Sequence, residues 1–412
     1  MGRRTSRRYD DRRVRHLFVT QDFPPDSGGM ARRHVELCRH FPAGQIAVST
    51  VRSPHAAEAD AGEPYPIERQ RFDFAGAKLL ANELRWTRAL IAHADRYDVL
   101  HCGNVRPVGY AVWWAARRTG APYLVYVNGG DVLRELVKAR GWFKRHVARR
   151  IFGDAVGVVA NSRWTATVTE DLMRDIGVRH PPPVAAIDLG TDPEHFRPDR
   201  DTGALRQRLA LGSGPLLLTV ARLVPHKGQD MAIEALASIA SEFPDARYLL
   251  VGGGRGRARL EALARSLGIG DRVVFAGMLT DDQIAEAYAT ATVYVGPSRL
   301  DRGINVEGFG ISFIEAAASG TPSVAGDSGG VRSAVRDGET GIVVPPTDVK
   351  AIAGALRTLL TDHALRERMA HAARAAVESH YNWARVARET QHFAEQVAAP
   401  RVGARAARAS RS

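Results

Sequence analysis

The sequence predicts an α/β protein made of two doubly wound parallel-sheet domains, and three observations carry that reading. At 412 residues the chain exceeds what one hydrophobic core usually serves. Short apolar runs alternate with longer helical ones, the pattern of a parallel sheet covered by helices on both faces. The alternation loosens once, where residues 193–213 become rich in Pro, Asp and Arg, and then starts again.

The first half opens with an apolar strand over 14–20, a turn ending in Gly28-Gly29 and a helical run over 30–40. Glycines between strand and helix let a backbone approach a ligand, although a plain structural turn uses the same residues. Further strands are expected at 46–51, 99–102 and 123–127, separated by helical segments at 84–94 and 110–118. The strand 123–127 runs into Asn128-Gly129-Gly130-Asp131, at the carboxyl end where open α/β sheets place ligands. Over 138–152, Phe143, Val147 and Ile151 share one helical stripe beside several Arg and Lys. That suits an ordinary half-buried helix, and it also suits a lipid headgroup surface. A strand over 155–160 follows and ends at Asn161-Ser162.

These runs set the expected boundaries: a first domain over 14–195, a second over 196–381, and a helix over 382–397 that packs back on the first domain. Basic disordered tails are expected at 1–13 and 398–412. In the loose region, Asp199-Arg200-Asp201 is the only D-x-D in the chain. Its linker position favours a solvated charge cluster over a metal site. The second half restarts with a strand over 216–220. The loop after it places Arg222 and Lys227 together, a guanidinium fork and a point charge able to converge on a diphosphate. A helix over 231–241 and a strand over 248–251 follow. Gly252-Gly253-Gly254-Arg255-Gly256 then approximates a dinucleotide fingerprint, but Arg257 stands where the last glycine belongs, which disfavours hydride transfer. Strands over 271–277, 291–296 and 322–325 and helices over 349–360 and 363–379 complete the second domain.

The densest stretch runs from Gly303 to Thr321. Glu307 and Glu315 flank the bend Gly308-Phe309-Gly310, ahead of a helical run over 311–319. The first N–H groups of such a helix, at Phe309, Gly310 and Ile311, would suit an anionic group. The carboxylates would suit sugar hydroxyls, or be solvated glutamates on a capped core helix.

Composition narrows the function classes. The net charge of +12 resides mostly in the tails: residues 1–16 contribute +5, residues 401–412 contribute +4, and only +3 remains between them. The body is therefore nearly neutral and gives no sign of specific nucleic-acid binding. Two cysteines, Cys38 and Cys102, are too few for a disulfide framework or a structural zinc site and fit a reducing cytoplasm. No apolar run reaches the roughly 20 residues of a spanning helix. Any membrane contact is expected to be peripheral.

Several of these segments occur together and in order: the glycine loop after the first strand, D-A-V-G-V-V-A-N-S, D-L-G-T-D-P-E-H-F-R-P, A-R-L-V-P-H-K-G-Q-D, V-G-G-G and E-G-F-G-I-S-F-I-E. As a set over about residues 14–397 the chain resembles the retaining GT-B glycosyltransferases of family 4, with wording nearest the phosphatidylinositol mannosyltransferase branch. The resemblance implies two domains facing a cleft and a nucleoside-diphosphate sugar held mainly by the second. It assigns Arg222 and Lys227 to the diphosphate, Glu307 to the donor sugar and Glu315 to the ribose. The Phe309–Ile311 backbone would meet sugar and phosphate, with Gly28 and Gly29 closing over the phosphates. Arg222, Lys227 and Glu307 form the implied catalytic set, with no metal or other cofactor and a front-face displacement. One departure stands out: many relatives carry a histidine after the strand corresponding to 123–127, where this chain has Asn128. Asn128 and Asp131 are the acceptor-side candidates.

The expected activity is transfer of a hexose, first mannose from GDP-mannose, to a lipid-linked or cell-envelope glycan. A UDP-sugar donor, a small-molecule acceptor, a sugar-nucleotide epimerase and a silent sugar-nucleotide binder are the alternatives.

Overall fold

The computed structural model describes residues 13–25, 28–74 and 80–409. Nearly all of the expected N-terminal tail therefore lies outside the described residues. Two parallel sheets organise the rest. The first contains β1 (His16–Thr20), β2 (Ile46–Thr50), β3 (Ile67–Arg69), β4 (Val99–Cys102), β5 (Tyr123–Val127), β6 (Gly157–Ala160) and β7 (Val184–Ala186), in the order β3-β2-β1-β4-β5-β6-β7. The second contains β8 (Leu216–Val220), β9 (Arg247–Val251), β10 (Val273–Gly277), β11 (Val293–Gly296), β12 (Ser323–Gly326) and β13 (Gly341–Val344), in the order β10-β9-β8-β11-β12-β13. Central strands such as β5 and β11 are buried along their whole length, as strands covered on both faces must be. Edge strands β3 and β7 are only three residues long and half exposed, too short to stand out as strands in the sequence.

In each sheet the strand order reverses once, between β1 and β4 in the first and between β8 and β11 in the second. Loops leaving the carboxyl ends of such a pair part to opposite faces and open a crevice. The second crevice is held tight by Gly228, which has a φ of +73°. A Cβ there would be driven into the carbonyl of Pro297, so the loops after β8 and β11 touch through backbone.

One apolar cluster runs from Phe18 and Tyr126 of the first sheet through Phe196 of the linker to Tyr288, Phe309 and Phe313 of the second domain. Two others, around Trp86 and around Leu236, cover the far sides of the two sheets. Arg374, on the helix His363–Ser379, fastens the linker: its Nη1 donates to the carbonyls of Pro193 (3.0 Å), Phe196 (2.9 Å) and Ala318 (2.7 Å). Asp199-Arg200-Asp201 belongs to the same linker, where Asp201 accepts from Thr290 Oγ1 at 2.9 Å.

The final helix, Trp383–Ala409, crosses back to the first domain. Gln391 Nε2 donates to Gln45 Oε1 at 2.9 Å, and the Phe393 ring fills the space above Gly157. A disordered tail from 398 onward is corrected here, because the helix continues through Pro400 to Ala409. The run is rich in alanine, a strong helix former. Arg401 and Arg405 also anchor it, donating to the carbonyls of Asp154 (2.9 Å) and Tyr97 (3.0 Å). Among the described residues no helix is long and apolar enough to cross a membrane.

Histidines populate the first core. His101 links His16 (2.8 Å) to the Tyr126 hydroxyl (2.7 Å), and His34 Nδ1 lies 3.0 Å from Thr20 Oγ1. Burial pushes the His34 pKa down to about 3, and burial with the neighbouring His16 holds His101 well below its usual value. In the unfolded chain these histidines bind protons near their ordinary pKa of about 6.5, so below that pH the unfolded state holds more protons. Stability contributed by the neutral rings is therefore present above about pH 6.5 and lost as pH falls toward the folded-state values. Urea denaturation is expected to give a lower midpoint at about pH 5 than at about pH 7, with a shallower dependence in His34→Gln.

Candidate active site

The loop after β8 carries Arg222, His226 and Lys227, the last two within a short 3-10 turn, Pro225–Lys227. Arg222 is exposed at the start of this loop, while Lys227 is mostly covered. Lys227 Nζ forms an ion pair with Glu307 Oε2, which brings the β8 loop and the glutamate loop after β11 together. His226, between them, is lowered to about 4 by burial and by the Lys227 charge, with Arg222 adding in the same direction. Two cations thus act on one small volume, and the imidazole there is neutral at neutral pH.

The helix after the glutamate loop is Ile311–Ala318, preceded by Gly310 with a φ of +101°. It begins at Ile311, so the N–H groups pointing out of its first turn are those of Ile311 and Ser312. Ile311 thus stands at the end of the expected Phe309–Ile311 stretch, and Gly310 at the N-cap. The Phe309 ring itself is core, facing Tyr381 at 6.2 Å between centroids.

Glu315 is only 6% exposed. Its Oε2 accepts from the Tyr288 hydroxyl at 2.8 Å, and its Oε1 lies 3.2 Å from Nη1 of Arg32. Arg32 sits on Gly29–Arg39, the first helix of the opposite domain. The buried Glu315 and the partly buried Glu307 are therefore both ion-paired, one to each domain. Gly28 and Gly29 lie exposed just ahead of Arg32, and among the described residues a Cβ on either would meet no atom within 4 Å.

The domains meet at the glycine bend. Gly308 O accepts from Ser162 Oγ at 2.7 Å and from Thr165 Oγ1 at 3.3 Å, both on the first domain. A side chain on Gly308 would be driven into the carbonyl of Asn128. Ser162 also caps its own helix, Arg163–Asp175, by accepting from Thr165 N at 3.1 Å. Asn161-Ser162 was legible only as a strand end. A serine directly before a helical run is the N-cap signal that could have marked it.

Asn128 stands at the end of β5, and its side chain is held. Its Oδ1 accepts from Arg33 Nη1, which also donates to Val127 O at 3.2 Å. Its Nδ2 lies 3.4 Å from Asp131 Oδ2. Asp131 Oδ1 in turn accepts from the backbone N–H groups of Asn128 and Val132, both at 2.9 Å, at the start of the helix Gly130–Lys138. Arg33 is 3% exposed, lies over the Tyr126 ring at 5.2 Å and is lowered to about 10, chiefly by burial. The sequence offered no signal for it beyond one more arginine on an amphipathic helix.

The comparisons match this architecture domain by domain. The model described as Glycosyltransferase Family 4 matches residues 27–195, and the one described as Glycosyl transferases group 1 matches residues 201–376. The GDP-mannose-dependent alpha-(1-6)-phosphatidylinositol monomannoside mannosyltransferase of Mycolicibacterium smegmatis is 32% identical over 380 residues, covering 89% of this chain and 94% of that protein. The chain is a family 4 glycosyltransferase. A second relative, the D-inositol 3-phosphate glycosyltransferase of Streptomyces avermitilis, is 33% identical over 84% of this chain and 79% of its own. Sucrose-phosphate synthase from Thermosynechococcus elongatus has the same fold, with a TM-score of 0.73 and 25% identity over 94% of this chain and all of its own. Anabaena Alr3699/HepE, solved with UDP and glucose, gives 0.74 at 21% identity over 92% and 99%. The two sheets of this glycosyltransferase are thus those of the GT-B fold.

Within the glycosyltransferase site, the device that sequence reasoning missed is the arginine pair of the first helix, Arg32 on Glu315 and Arg33 on Asn128. Replacing Arg33 by Met removes the donor from Val127 O and Asn128 Oδ1. That is expected to lower unfolding stability by about 1–3 kcal/mol, measured by urea denaturation.

Proposed function

We propose that this glycosyltransferase moves a hexose, first mannose from GDP-mannose, to a hydroxyl of a lipid-linked or cell-envelope glycan, with retained configuration and without a metal. The observation that carries the reading is the Lys227–Glu307 pair at the β8/β11 crevice, beside the start of the helix Ile311–Ala318. In this reading a donor diphosphate draws Lys227 from Glu307, Arg222 closes on the same phosphates, and the Ile311 and Ser312 N–H groups add fixed positive ends. Glu307, released from Lys227, accepts from donor-sugar hydroxyls, and Glu315 accepts from the ribose. Gly28 and Gly29 leave room for the phosphates on the opposite side.

The bond from the anomeric carbon to the diphosphate oxygen breaks with its electron pair on the diphosphate, where the cations offset the growing charge. The acceptor oxygen attacks the oxocarbenium-like centre from the same face, and its proton passes to the departing phosphate oxygen. No general base of glycosidase type is needed. Asn128, held by Arg33 and Asp131, borders the acceptor side as a fixed amide.

The names of the mannosyltransferase relatives support the donor and the lipid-linked acceptor. The D-inositol 3-phosphate glycosyltransferase relatives favour a second reading, in which the acceptor is a small phosphorylated polyol. We place the activity in the cytoplasm, on the inner face of a membrane.

Thermal shift against a panel of GDP- and UDP-sugars tests the donor, because a bound donor raises the melting temperature with its affinity. GDP-mannose is expected to give the largest shift, and a larger shift from a UDP-sugar would replace it. Lys227→Ala and Glu315→Ala are each expected to lower transfer by roughly 100-fold or more while the circular dichroism spectrum stays native. Transfer is expected to persist in excess EDTA. Its loss there, with recovery on adding a divalent ion, would overturn the metal-free route, and accumulation of an isomerised sugar nucleotide from donor alone would indicate an epimerase.

A further inference from the structure

The helix Gly130–Lys138 starts at the cleft and ends in the turn Ala139-Arg140-Gly141, from which the helix Trp142–Gly153 returns. Eight large apolar side chains are exposed among the described residues, and three sit on this one tip: Trp142 (81%), Phe143 (51%) and Val137 (47%). The Trp142 and Phe143 rings contact each other edge to face, 5.9 Å between centroids. Between residues 136 and 153 the chain carries six Lys or Arg and no Asp or Glu. The flanking acids are Glu135, which is buried and taken up by Arg106 at 2.7 Å and Lys138 at 3.3 Å, and Asp154, which pairs with Arg150 at 3.5 Å at the far end of the helix.

The stripe read from the sequence divides in the structure. Val147 and Ile151 turn into the core, while Phe143 turns out beside Trp142. Between the tip and the end of the helix Arg163–Asp175 lies a cavity of about 470 Å³, with Leu136, Val137 and Ile176 as apolar wall and Arg140, Arg145 and Asp175 at its polar side. Arg401 and Arg405, part of the basic charge of the C-terminal segment, are engaged with backbone carbonyls.

From this geometry we infer that the 137–145 tip is the surface by which the enzyme docks on a bilayer of anionic phospholipid. Trp142 and Phe143 enter the headgroup boundary, and Lys138, Arg140 and Lys144 lie at the phosphates around them. Exposed aromatic rings flanked by Arg140 and Lys144, with the partly exposed Lys138 behind them, match an interface that is apolar below and anionic above. A helix of nine residues spans about 13 Å, so the docked tip holds the cleft roughly one helix length above the membrane. A hydroxyl on a short lipid-linked glycan reaches that height. This deepens the lipid-linked acceptor reading and rests on it.

The test uses the full chain and co-sedimentation with vesicles of phosphatidylcholine alone or of phosphatidylcholine mixed with phosphatidylglycerol. Binding to the anionic vesicles is expected to exceed binding to phosphatidylcholine alone by at least about tenfold. Trp142→Ser/Phe143→Ser and, separately, Arg140→Glu/Lys144→Glu are each expected to weaken it by about tenfold or more, with unchanged circular dichroism. Equal binding by wild type and both double variants overturns the proposal, as does indifference to lipid charge. Two further results also overturn it: a dimer in sedimentation velocity that Trp142→Ser/Phe143→Ser dissociates, and an oligonucleotide that competes the protein off the vesicles. Transfer to a soluble acceptor, which needs no docking, is expected to be unchanged in both double variants. Vesicle binding is measured without donor or acceptor, so residue-dependent binding with no lipid-linked product refutes only the acceptor reading. Product on a lipid-linked acceptor without residue-dependent binding refutes only the docking surface.

Discussion

The carbonyl of Gly308 is the point on which the two halves of this enzyme depend. Two hydroxyls of the first domain, Ser162 and Thr165, converge on it, and Asn128 O lies against the same glycine from the other side. Only a residue without a side chain lets two loop backbones meet there. Because Glu307 precedes this glycine and the helix Ile311–Ala318 follows within three residues, fixing Gly308 also fixes a carboxylate and a helix start relative to the first domain. The seam and the candidate donor site are one structure.

Charge is distributed around that seam so that neither glutamate, Glu315 buried and Glu307 partly so, stands without a cation. Lys227 comes to Glu307 from its own domain, and Arg32 comes to Glu315 from the other. An isolated buried carboxylate is costly, so each pair supports the closed arrangement of these loops. In the proposed reaction the same pairing would allow an exchange, with an incoming diphosphate as a stronger partner for Lys227 and sugar hydroxyls as neutral donors for the freed carboxylate. Asn128 is treated differently. The buried Arg33 donates instead to the Val127 carbonyl and the Asn128 amide oxygen at the end of β5. The amide orientation at the usual histidine position is therefore set from the first helix.

Much of the fold was legible because buried parallel strands are short continuous apolar runs, as β5, β8 and β11 show. The placement of Arg222, Lys227 and Glu307 on loops and of Glu315 on the helix that follows was legible from the glycine turns between the apolar runs. Edge strands β3 and β7 were not, since a three-residue half-exposed strand has no periodicity to detect. The end of the last helix was misread for a related reason: arginines that look like a solvated tail are bound to carbonyls of a domain more than 200 residues away in the chain.

The sequence by itself determined the two α/β domains, the crevice loops and the residue types able to hold a sugar nucleotide, because those depend on local pattern and on strand-to-loop order. Only the tertiary structure decided which cation meets which carboxylate, that Arg32 and Arg33 reach across to Glu315 and Asn128, and that Trp142 and Phe143 face outward while Val147 faces in. Each of these is a contact between segments far apart in the chain, or a choice of helix face made by the neighbouring element. Neither is encoded in the spacing of residues along one segment.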